Sequence, residues 1–365
     1  MTATSAGIPA ARPRPRPRRT LLREGARRHP RALFGGVVAV LGVLIVLAIG
    51  FGTVAIAPDT TLAITLHRVL GIETGATWSA ASEAIVWDLR FPRVLTAAMV
   101  GAALAVAGAT FQGLLRNPLA DPYVLGTASG AALGAAVALL IPVRIVVVEF
   151  GLVHAFAFVG ALVAITVVYR LSRLSAWSGM TSLLLTGYAV GSLLAAGLAM
   201  AMYLSGATLR QIFAFLLGGF EAATWPRLAI ALPLVVVGVA GILWRARVLN
   251  GLMLGEEAAA HLGVDVRRER AILFALGSLV TAAAVAVSGL VGFVGLVVPH
   301  VVRLVVGPSA RAVLPLSIAA GACLLVLADL GARLLGDIPV GVVSALVGAP
   351  FFLFLLRRAQ SGYEL

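Results

Sequence analysis

The feature that most constrains this chain is that its apolar residues fall in uninterrupted blocks about as long as a bilayer is thick. Ala32 to Ala57 is apolar on every face, and a helix of about 20 such residues, at 1.5 Å per residue, spans a hydrocarbon core. Blocks bounded by charged or Pro-rich breaks lie near 32–57, 93–113, 124–141, 146–169, 180–204, 227–244, 271–288, 294–306, 312–329 and 339–356. A transmembrane barrel would show short alternating segments instead. With 61% hydrophobic and only 12% charged residues, lipid must be the solvent for most of the chain. The expectation is an all-α polytopic membrane protein with ten transmembrane helices. The eighth block is interrupted by Gly289, Gly292 and Gly295, which reads as a broken or half-length helix, tolerated only where protein or a cavity surrounds the freed backbone.

An even number of spans puts both termini on one side, so the arginines can be sorted. Arg68, Arg90, Arg93, Arg144, Arg210, Arg227 and Arg333 fall on one side and the rest of the 28 on the other, with the termini. The positive-inside rule then places both termini in the cytoplasm of a multi-pass inner-membrane protein. Residues 1–31 are expected to be a disordered Arg/Pro-rich cytoplasmic tail, 32–358 the ten-helix domain and 359–365 a short cytoplasmic C-terminal tail. The Arg-Pro alternation from Arg12 to Arg18 cannot form a helix, and such a tail suits anionic lipid or simply fixes topology. The formal charge of +13 is therefore no sign of a nucleic-acid partner. Arg18-Arg19 resembles a twin-arginine export signal, but the apolar block after it is too long for a signal core.

Several chemistries are excluded. The chain has no lysine, so neither a Walker-type phosphate loop nor a Schiff-base enzyme can reside here; any ATP hydrolysis belongs to a partner. Cys323 stands alone, so there is no intrachain disulfide and no cysteine metal cage. Glu149, His154, His300 and Asp329 are the ionisable residues read within the spans. So short a list gives little support to a proton relay, and no nucleophile triad, carboxylate pair or metal cluster is visible.

Three segments outside the spans are long: 58–92, 205–226 and 245–270. Trp78, Trp87 and Trp225 in the first two suit surface helices anchored at the headgroups. Gly126, Gly130 and Gly134, and again Gly187 and Gly191, repeat at four-residue spacing and signal close helix packing. Asn117-Pro118 and Asp121-Pro122 form a double turn between spans two and three. Arg90-Phe91-Pro92-Arg93 puts two cations at what reads as an outer helix start, where the dipole disfavours them; lipid phosphates or an acidic protein partner would each explain them. Inside, Gly255-Glu256-Glu257-Ala258-Ala259-Ala260-His261-Leu262-Gly263 reads as a short capped helix, either a connector or a docking knob.

These residues resemble the FecCD and BtuC type permeases of binding-protein-dependent ABC importers for iron-siderophores, haem and vitamin B12. The likeness runs through Arg90 to Arg93, Asn117-Pro-Leu-Ala-Asp-Pro-Tyr-Val-Leu-Gly126, the Gly255 helix, Gly292 to His300 with Arg303, and Ile338 to Gly341. Phe91 departs from the usual leucine. The resemblance implies a BtuC-like (type II ABC importer) fold and a homodimer with the substrate path at its interface. Its partners would be two ATPase subunits, which bind ATP and Mg, and an external substrate-binding protein; this chain would hold no cofactor and catalyse no reaction. It further implies that Arg90, Arg93 and Arg333 dock the binding protein, that Gly255 to Gly263 is the ATPase coupling helix, and that Thr181 and Ser182 are candidates for a cytoplasmic gate. An iron(III)-siderophore is the expected cargo, with haem or cobalamin as alternatives and an ion-coupled secondary carrier as the reading from another class.

Overall fold

The computed structural model describes residues 30–141, 146–147, 150–174 and 180–360. Tail residues 1–29 and 361–365, and Glu149, lie outside them. Among the described residues the regular structure is helical apart from a two-residue antiparallel pair, β1 (Val146–Val147) with β2 (Phe150–Gly151). In order, the helices are α1 (Pro30–Gly50), α2 (Pro58–Leu70), α3 (Ala80–Leu114), α4 (Thr127–Leu140), α5 (Leu152–Leu174), α6 (Met180–Leu204) and α7 (Leu209–Leu217). They continue with α8 (Trp225–Trp244), α9 (Ala246–Leu254), α10 (Glu256–His261), α11 (Val266–Ser288), α12 (Val294–Val306), α13 (Ala310–Leu334) and α14 (Val340–Gln360).

Among the described residues seven helices, α1, α3, α5, α6, α8, α11 and α13, are long and apolar enough to cross a membrane. The other three expected blocks form α4, α12 and α14, apolar helices whose spanning stretch is shorter. The first block ends seven residues early, at Gly50, because the chain turns there to meet two arginines described below.

α3 is the hub: 83% of its apolar stretch is buried, against 11% for α1 and α6, so those two show their side chains to lipid or to another chain. Glycine lets neighbours come this close. A Cβ on Gly101 would lie 2.1 Å from the Gly321 carbonyl of α13, and one on Gly108 1.9 Å from the Gly295 carbonyl of α12. The Gly130 and Gly134 repeat does the same for α4 against α5, at Gly160 and Phe156.

The expected double turn is present. Asn117 Oδ1 accepts from Leu119 N at 2.9 Å and Asp121 Oδ1 from Tyr123 N at 2.7 Å, after which Gly126 turns into α4 with φ 83°.

Candidate functional site

α3 does not start at residue 93. It runs unbroken from Ala80, so Arg90 and Arg93 lie inside a helix rather than at its exposed start, and the helix-end argument for them fails. What allows Pro92 there is a π-helical stretch, Ala84–Arg90, in which the Phe91 amide bonds to the Val86 carbonyl. The wider turn makes room where the proline ring would collide with the preceding turn and where its missing N–H would break an α ladder.

That geometry aims both arginines at α1 and α13. Arg90 donates to the Ile49 and Gly50 carbonyls, each at 2.9 Å, and to that of Val54. Arg333 donates to Phe51 O at 3.0 Å. These are carbonyls at or just beyond the end of α1, and two cations suit the negative end of its dipole. Arg93 spans two carboxylates, Asp329 and Asp337, at 2.8 Å each, and Arg333 Nε lies 3.0 Å from Asp329 Oδ2. Two of the three predicted arginines, Arg93 and Arg333, thus meet at one carboxylate, while Arg90 is turned to the end of α1; Arg90 and Arg333 are buried at 5% exposure. Arg333 Nη2 is buried with no hydrogen-bond partner among the described residues, whereas Asp337, at a left-handed φ of 60°, stays open. Glu221, in the turn before α8, feels the same cluster: partial burial and Asp337 raise its carboxyl above the ordinary range. Beside it Trp87, Phe91 and Trp225 stack, with Trp225 Nε1 donating to Trp87 O at 2.9 Å.

At the far end, α10 stands between two bends, Gly255 at φ 130° and Gly263 at φ 80°. Only Ala259 is buried; Glu256, Glu257, His261 and Leu262 are exposed, as is Leu254 just before the bend. The base is fixed. Arg116 donates to Leu252 O at 3.1 Å, Asn250 Oδ1 accepts from Ala310 N at 2.7 Å, and Arg270 pairs with Glu256. Asp265 caps α11 by accepting from Arg268 N at 3.0 Å.

The expected break near Gly289 is real. α11 stops at Gly289, Phe293 adopts φ 68°, and α12 runs only from Val294 to Val306. The freed backbone is satisfied by protein: Leu290 N bonds to Phe215 O, Gly219 N to Ser288 O and Gly341 N to Gly218 O, so three chain breaks support one another. The sequence list of ionisable residues omitted Arg303. It sits on α12 and binds Gln112 Oε1 and Ala109 O, while Gln112 donates to Gly295 and Leu296 carbonyls at 3.1 and 3.2 Å. Its signal was an arginine in an apolar block one turn after Pro299-His300.

The gate candidates are not paired with each other by anything described. Ser182 is buried and donates to Ser172 O at 2.9 Å, tying α6 to the end of α5. The Thr181 side chain lies outside the described residues.

Against known proteins, the FecCD transport family matches residues 40–358. The cobalamin import system permease protein BtuC of Halobacterium salinarum is 42% identical over 354 residues, covering 89% of this chain and 95% of that one. The hemin transport system permease protein HmuU of Yersinia pestis is 40% identical over 294 residues, covering 78% and 87%. A solved metal-chelate type ABC transporter in an inward-facing conformation superposes with TM-score 0.76 at 29% identity, over 90% of this chain and 99% of that one. A multi-pass helical chain with this fold, matched along nearly all its length, belongs to the FecCD transport family.

Proposed function

We propose that the chain is the membrane-spanning permease subunit of an ATP-driven importer, and that its cargo is a bulky macrocyclic metal chelate, a corrinoid or a haem. The observation that carries this is the 42% identity to a cobalamin permease over 89% of the chain, with 40% to a hemin permease beside it. A siderophore, the cargo expected from the sequence, finds no support in those two names. In this reading ten spans are made by α1, α3, α4, α5, α6, α8, α11, α12, α13 and α14, two copies form the path, and both termini and α10 face the cytoplasm.

Arg90, Arg93 and Arg333 then receive acidic side chains of a delivery protein. The exposed edge of the Arg93–Asp337 pair supports it, since an incoming carboxylate can replace Asp337 there without stripping Asp329 from its arginines. The segment from Gly255 to Gly263 meets an ATPase through Leu254, Glu257 and Leu262, and a rigid base passes the ATPase's motion to α11. Thr181 and Ser182 close the path near the inner face, and the Ser182–Ser172 bond holds that closure. ATP and Mg stay on the partner.

The test is uptake into proteoliposomes carrying the chain, its ATPase and its binding protein. ATP-dependent accumulation of cyanocobalamin or haemin, with none of a ferric siderophore, is the expected result; siderophore uptake would overturn the cargo, and ATP-independent uptake the importer class.

A further inference from the structure

Between α5 and α11, at the end of the bundle that bears α10, lies an open cleft of about 700 Å3. Its rim holds Arg170 and Arg173, near the end of α5, and Arg267, in the first turn of α11. All three are exposed and none makes an ion pair among the described residues, whereas nearby Arg245 and Arg270 pair with Glu269 and Glu256. Among the described residues no carboxylate lines the cleft. Arg170 and Arg173 suit the negative end of the α5 dipole, but Arg267 faces the positive end of α11, so the trio is not explained by helix ends alone.

Away from the rim the walls are apolar. Leu162 and Ile165 of α5 face Phe274 of α11, and the Tyr169 ring packs on Phe274 at 4.6 Å. Of the three hydroxyls that line it, two are turned onto their own helices, Thr166 donating to Leu162 O and Ser278 to Phe274 O, each at 2.6 Å, and the third is the Tyr169 phenol nearer the rim. On each helix the lining runs from arginine to apolar residues over about 16 Å at 1.5 Å per residue, far deeper than a headgroup. A soluble partner has no reason to need that depth. An acyl chain does.

We infer that this cleft binds one anionic phospholipid, its phosphate held by Arg170, Arg173 and Arg267 and its acyl chains laid between α5 and α11. Guanidinium groups match phosphate oxygens in charge and fork geometry, and basic pockets between helices at a membrane surface select anionic headgroups. Binding would brace α11 next to α10. The inference stands apart from the proposed cargo and partners.

The experiment uses the full chain in nanodiscs of equal phosphatidylglycerol and phosphatidylcholine, with retained lipid identified by native mass spectrometry after transfer to detergent. Wild type is expected to retain phosphatidylglycerol preferentially. R267Q should lower that preference about fivefold and R170Q/R173Q/R267Q about a hundredfold, from roughly one contact's worth per arginine. R268Q, the same charge loss one residue away and outside the lining, should leave it unchanged. The inference is overturned if R268Q acts like R267Q, if wild type shows no preference, if millimolar inorganic phosphate strips the lipid as readily as excess phosphatidylglycerol, or if added ATPase displaces it. Circular dichroism and gel filtration establish that each variant is folded.

Discussion

The two ends of the molecule are built in opposite ways. Around Asp329, cations of α3 and α13 are buried and matched to carbonyls at the end of α1 and to a carboxylate of α13; at α10, a six-residue helix with one buried side chain carries exposed charges and is flanked by exposed leucines. The first is a charge pocket whose members hold the fold together, so a substitution there acts first on stability. The second is a projection whose surface can change without disturbing the bundle.

Removing the shared carboxylate tests the contrast most severely. D329A leaves Arg93 and Arg333 without their buried counter-charge and should destabilise the chain by about 3–5 kcal/mol, read as a lower thermal midpoint in detergent; an unchanged midpoint would mean the pocket is not structural. At the other end, L254S/L262S should leave that midpoint within about 0.5 kcal/mol of wild type while weakening ATPase capture by about tenfold, as loss of apolar anchors does. Unaltered capture would remove α10 from the coupling role. E256Q breaks only an exposed ion pair and should shift stability by less than about 1 kcal/mol, measured by the same melt.

The smallest effect is a pH dependence. The Glu221 carboxyl is raised in the folded chain, so its protonation favours the fold: that contribution is complete below the ordinary carboxylate range and fades as pH rises through the raised value. E221Q should therefore melt slightly higher than wild type at neutral pH, and the gap should close on acidification. A gap that widens in acid would reverse the sign.

Much of the fold was legible because lipid demands long apolar blocks, and every block read from the sequence contains a helix, although the one from 146 opens with the β1–β2 pair. Gly289 and Gly295 announced a break for the same reason, since glycine in such a block weakens the helix there. The burial of the arginine trio was not legible. Arg93 meets Asp329 across 236 residues of chain, and no local pattern encodes a pairing that distant. Nor could the start of α3 be seen, because Pro92 reads as a helix boundary unless a π turn is known to precede it. Arg303 stood in a motif read from the sequence, but its bond to Gln112 was not legible, since that partner is uncharged and lies on another span.

That π stretch, Ala84–Arg90, also acts as a phase adjuster in the chain. A π turn carries one residue more than an α turn, so deleting a single residue within 84–90 would let regular winding take up the stretch with both flanks held close to their present phase, whereas the same deletion in the α-helical part would rotate all that precedes it by about 100°. The helix would keep its length almost intact, and a residue lost after Arg93 would swing Arg90 and Arg93 together away from Gly50 and Asp329. The stretch is therefore a place where α3 can lose a residue without turning its two ends against each other.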